Sequence, residues 1–149
     1  MSVDEPIGWC SAGRVRYPIS ITENFLLEPI LHTFGVKDET SYAELHADHL
    51  EVSMGKWFHE RIPFSEIASL APSEWPWWGG LGVKLGHHGV GVVGSLDGVV
   101  NLKFKKPLEV RVLAQVSVEQ MWVSLKDRDS FLQALAEATK LPISEHAKF

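Results

Sequence analysis

The sequence predicts a mainly β domain: two antiparallel sheets of about seven strands, forming a barrel closed by one C-terminal α-helix. Three observations carry this expectation. Apolar residues recur at every second position through much of residues 41–125, the period of a half-buried strand. Turn residues punctuate these runs at the spacing of an antiparallel sandwich or barrel. The period then changes: Phe131, Ala134, Leu135 and Ala138 fall at i, i+3, i+4 and i+7, one face of an α-helix.

Each element follows from its own residues. Ala43, Leu45 and Ala47 share one phase and Leu50, Val52 and Met54 the other, so a turn or bulge belongs at Asp48-His49. Gly55-Lys56 turns the chain into a strand from Trp57 to Ile62, and Pro63 ends it because it has no N–H to donate. Leu81, Val83 and Leu85 alternate up to His87-His88-Gly89. Val90, Val92 and Val93 then lead to Asp97-Gly98, whose tolerance of positive φ predicts a hairpin into Val99–Lys105. There Val100, Leu102 and Phe104 alternate with Asn101, Lys103 and Lys105. Beyond Lys106-Pro107, Leu108, Val110 and Val112 mark a separate strand, and Met121, Val123 and Leu125 mark the last. Asp127 caps the helix and Asp129 suits its dipole. Lys140 and Pro142 stop it near Leu141, with Ile143–Phe149 frayed. Residues 22–35, where Pro29 interrupts Phe25, Leu26, Ile30 and Phe34, are expected to form a buried loop or a short helix.

A chain of 149 residues fits one domain over 1–149. Its hydrophobic content of 45% argues against disorder, and its net charge of −5 against nucleic-acid binding. Cys10 is the single cysteine, so no internal disulfide forms. Met1–Pro6 is acidic with no apolar run behind it, and no run approaches the roughly 20 residues that span a bilayer. A soluble, cytoplasmic protein is the expectation.

The string Asp48-x-Leu50-x-Val52 with Gly55, followed by Ile62-Pro63-x-Ser65-x-Ile67, resembles the first hairpin of bacterial pleckstrin-homology-like (PH-like) domains. Trp122-Val123-Ser124-Leu125-x-Asp127, running into Phe131-Leu132-x-Ala134-Leu135, is similar to their last strand and C-terminal helix. Trp78-Gly79-Gly80-Leu81-Gly82-Val83, with Val93-Gly94-Ser95 and Val99–Phe104, resembles an uncharacterised bacterial family of this layout. The resemblance covers a core of about residues 40–141 and leaves 1–39 outside it. It implies two nearly orthogonal sheets with a helix plugging one end. It also implies binding of peptides, proteins or lipid headgroups rather than catalysis.

Several motifs admit both a chemical and a plainly structural role. Gly89-Val90-Gly91-Val92-Val93-Gly94 is a G-x-G-x-x-G string, but a strand rather than a helix follows it, so its glycines are expected to allow bending or close backbone approach. Among the seven histidines, His46 and His49 would point to opposite faces of a strand unless a turn redirects one, and His59 lies on a neighbour. No cysteine pair or HExxH accompanies them, so neither metal nor cofactor is expected. Glu44, Glu51, Glu60 and Glu66 are scattered over polar faces, and no nucleophile elbow is present, so no catalytic role is expected. The most unusual stretch is the loop holding Trp75, Trp77 and Trp78, which either folds over the barrel or offers a surface for a protein partner or self-association. Lys103, Lys105, Lys106 and Arg111 form a basic stripe that suits a solvated sheet face and, secondarily, an anionic headgroup. A small apolar ligand in the barrel mouth is a further alternative.

Overall fold

Why the chain divides into two sheets is visible in where its apolar faces point. The computed structural model describes residues 9–11, 14–20, 41–55, 58–75, 82–86, 88–112 and 114–145. Strands β1 (Trp9–Ser11), β2 (Arg14–Pro18), β3 (Ser41–Leu45), β4 (His49–Met54) and β5 (Phe58–Pro63) form the first sheet, antiparallel and in chain order. A 3-10 turn at Phe64–Glu66 leads to β6 (Ile67–Pro72), β7 (Gly82–Gly86), β8 (Gly89–Val93), β9 (Val99–Val112) and β10 (Ala114–Ser124). These form the second sheet in the order β6-β9-β10-β8-β7. Helix α1 (Arg128–Thr139) follows. The class is therefore mainly β with a C-terminal helix. The ten strands exceed the expected seven because β1, β2 and β6 lie where no alternating run was read, although two of the expected strands are joined in β9.

Alternation places the core between the sheets. Ala43, Leu45, Leu50, Val52, Phe58 and Ile62 from the first sheet meet Leu70, Val92, Leu102, Met121 and Val123 from the second in one buried cluster. Burying each of these side chains except Ala43 contributes roughly 1.5–3 kcal/mol. Phe131, Leu132 and Leu135 of α1 join the same cluster, with Phe131 edge-on to Tyr17 at 5.4 Å. Ala138, placed on the buried face by spacing alone, is exposed. Asp127 caps α1 by accepting from the Ser130 N–H at 3.3 Å. Lys140 ends the helix in the left-handed region at φ 61°.

The second sheet corrects three sequence expectations. Val90–Val93 and Val99–Lys105 are not a hairpin: β10 lies between β8 and β9, antiparallel to β9 and parallel to β8. The physical reason is that every residue of β8 is buried, so this strand needs a neighbour on both edges. Gly98 nevertheless takes the positive φ (70°) expected of it, and an added Cβ would clash with the Leu125 carbonyl oxygen. Next, Val99–Lys105 and Leu108–Val112 are one strand. Phe104 to Pro107 bulges opposite Glu119 alone, which accommodates a proline that cannot join the ladder. Finally, Ile143 and Ser144 are not frayed, because Ile143 pairs with Leu70 and the Ser144 N–H donates to the Leu70 carbonyl at 2.8 Å. Residues 22–35 lie outside the described residues.

Glycine in β8 is fixed by contact. A Cβ on Gly91 would meet the Trp75 ring at 2.5 Å, whereas one on Gly86 would meet nothing within 4 Å. Gly91→Ala is therefore expected to lose about 1–3 kcal/mol in urea unfolding. Gly86→Ala is expected to stay within about 0.5 kcal/mol of wild type. Equal losses at the two positions would contradict this packing.

Candidate functional site

Polar chemistry concentrates on the face of the first sheet that points away from the core. β3 and β4 are joined by Ala47 and Asp48, with the His46 N–H donating to the His49 carbonyl at 2.9 Å. The turn thus sits one residue earlier than the phase change suggested. That shift sets Leu45 opposite Leu50, and hence Glu44 opposite Glu51. Two carboxylates directly across a ladder repel, and both are largely buried, at 7% and 8% exposure.

Cationic and hydrogen-bonding groups from β2, β3, β5 and the β3–β4 turn offset that repulsion. Arg16 lies opposite Glu44 and Arg61 opposite Glu51 in register, so the row reads Arg16, Glu44, Glu51, Arg61 from β2 to β5. The Arg16 guanidinium donates to Glu44 at 3.2 and 3.5 Å while stacking 3.7 Å over the Tyr42 ring. His46 Nε2 stands 3.0 Å from Glu51 Oε1 and 3.1 Å from Glu44 Oε1. Glu51 Oε2 accepts from the Tyr42 hydroxyl at 3.0 Å and is bonded to His59 Nε2. An ionised carboxylate only accepts, so both imidazoles carry a proton on Nε2. At the turn the His46 and His49 rings stack, 4.3 Å apart and 10° from parallel, with His49 Nδ1 2.7 Å from Asp48.

Burial pushes the Glu51 carboxyl up, but hydrogen bonds from His59 and Tyr42, with the charge of His59 and a bond from His46, outweigh it. The carboxyl therefore sits below its ordinary value. Tyr42 is pushed up, first by burial and then by its bond to Glu51 and that group's charge. The hydroxyl accordingly remains a donor to the carboxylate. The result is a preorganised anionic centre ringed by imidazoles. It can hold a cation or exchange protons.

The residues singled out from sequence lie elsewhere. Trp75 is buried at 8% exposure, edge-on to Trp122 at 5.7 Å in a small second core with Val93 and Val99. It therefore packs the sheet and is not an open docking surface. Trp77 and Trp78 lie outside the described residues. Lys103, Lys105, Lys106 and Arg111 are all exposed along β9, with Lys106 Nζ 4.0 Å from Glu66. Gly89 and Gly91 of the G-x-G-x-x-G string serve close approach, to Gln120 and Trp122 and to Trp75 respectively. The Arg16–Tyr42–Glu44–Glu51 grouping was missed in the sequence. Its signal was the hairpin register, because a turn at Ala47-Asp48 places residues 44 and 51 opposite one another. No family model, curated protein or solved structure matches the chain.

The sign of the pH dependence follows from Glu51. Its folded-state value lies below the unfolded value of about 4.3. Its contribution to stability is whole above the unfolded value and is lost as pH falls through the lowered one. In EDTA-containing buffer, the stability advantage of wild type over Glu51→Gln is expected to shrink on acidification below about pH 4.3. A constant difference between neutral pH and the acid limb would exclude an ion-paired Glu51.

Proposed function

We propose that the chain is a non-catalytic, PH-like interaction module that takes an extended protein segment along the outer edge of β7. The observation that carries this reading is the edge itself. Among the described residues β7 pairs with β8 alone, and Lys84, Leu85 and Gly86 are exposed, Leu85 at 52%. The opposite edge of the sheet, β6, is occupied by Ile143 and Ser144. An edge strand with free backbone groups recruits a further strand through main-chain hydrogen bonds, while neighbouring side chains give specificity. Lys84 and the shortness of β7 discourage indiscriminate pairing. The two-sheet core with its terminal helix supports the PH-like assignment, from which the parallel β8–β10 pair departs.

A second reading is favoured by the exposed cations of β9, which suit an anionic lipid headgroup. Co-sedimentation with phosphatidylserine vesicles tests it: binding that Lys103→Glu and Lys105→Glu remove supports the lipid reading over the protein one.

The protein reading is tested by placing a photo-crosslinking amino acid at position 85 or at position 105 in cells. A discrete adduct specific to position 85 is expected, and its mass separates a second copy from a different protein. No adduct at 85 beyond that at 105 would overturn docking at β7.

A further inference from the structure

Among the described residues, one place brings two imidazoles and a carboxylate together outside the proposed docking edge. His46, His49 and Glu51 each offer a ligand atom within 4.8 Å of the others. We propose that these three side chains bind a divalent transition-metal cation of the zinc class, leaving a fourth position for water or an added ligand.

The spacing of the first two donors supports this. Ligands at about 2.0–2.2 Å on a tetrahedral ion stand roughly 3.3 Å from each other. His46 Nε2 and Glu51 Oε1 are already 3.0 Å apart. A proton now bridges them; an ion takes its place with a displacement of a few tenths of an ångström, and the proton leaves to solvent.

The outer partners hold Glu51 for that role. Its Oε2 is engaged by Tyr42 and His59, which turns Oε1 toward His46. Such second contacts fix ligand orientation and tune affinity in metal sites. Glu44 adds a second carboxylate 3.1 Å from His46 Nε2, itself anchored by Arg16. Two buried carboxylates side by side make the pocket strongly attractive to a cation, which relieves their mutual repulsion.

His49 must move. Stacked rings have parallel planes, so the lone pairs of His46 and His49 cannot meet at one ion as they stand. His49 is the ring free to turn, because its partner Asp48 is itself 87% exposed. Rotation about Cβ–Cγ, with a small shift of the turn, swings a nitrogen toward Glu51. The ion therefore completes the site and unstacks the rings. Mixed imidazole and carboxylate donors select zinc-class ions over magnesium or calcium, which favour all-oxygen shells.

Titration calorimetry of the EDTA-stripped full chain with ZnCl2 tests this, with MgCl2 as comparison. One zinc per chain is expected, with negligible heat from magnesium. His46→Gln and His49→Gln each weaken zinc binding by about 10-fold or more, while His88→Gln, at an exposed turn, leaves it unchanged. Cobalt substituted for zinc gives the intense visible bands of a tetrahedral site, lost in His46→Gln. His49→Gln also serves as the readout should His46→Gln fail to fold, since His49 lies at the turn. No saturable zinc binding at millimolar concentration, or binding unchanged by His49→Gln, would overturn the proposal. Both outcomes are independent of crosslinking at position 85 on the other sheet.

Discussion

A strand with no polar face has to be sheltered along both edges and over both surfaces, and β8 is such a strand. All five of its residues are buried. That requirement draws β10 in beside it, separates it from β9, and brings the Trp75 ring down onto Gly91. The departure from a simple meander follows from it. So does the division into two cores, the large one between the sheets and the small one of Trp75, Val93, Val99 and Trp122. Leu125 N–H bonds to the Gly98 carbonyl at 2.8 Å, which ties the connection across the end of β10.

The first sheet solves the opposite problem. Its inner face is conventional, but its outer face buries two carboxylates that face each other across a ladder. Desolvating such groups costs several kcal/mol unless each is paired. Here the pairing is shared among guanidinium, imidazole and phenol groups drawn from β2 to β5, so no single strand carries the network. A merely structural sheet face gains nothing from this arrangement that apolar or singly paired side chains would not supply. The cost falls on one outer face, where β2 to β5 bring Arg16, Tyr42, His46 and His59 around the two carboxylates.

Local periodicity made the class, most strand positions and the capped helix legible in the sequence. Phe58 and Ile62 on one face of β5, Pro63 at its end, and Asp127 at the head of α1 all stand as their neighbours suggested. What could not be read locally was pairing order. Val90, Val92 and Val93 before Asp97-Gly98 carry every local mark of a hairpin, and only the later strand β10 shows otherwise. The site failed for a similar reason. Glu44 and Glu51 look like unrelated solvent-facing acids until the turn is placed at Ala47-Asp48, and a one-residue error in that turn hides their opposition. Arg16 was beyond reach, because β2 pairs with a strand more than twenty residues away in the chain.

The position of β10 in both sheet and chain has a consequence for synthesis. It fills the gap between β8 and β9 yet leaves the ribosome after both. Until it emerges, a uniformly apolar strand and a long neighbour each present an unfilled edge, the condition under which nascent chains associate wrongly. Closure of the second sheet, and of the Ser124 hydroxyl's bond to the Ser20 carbonyl at 3.0 Å, therefore waits for β10 to emerge. The first sheet, whose strands pair in chain order, carries no such dependence on a later strand.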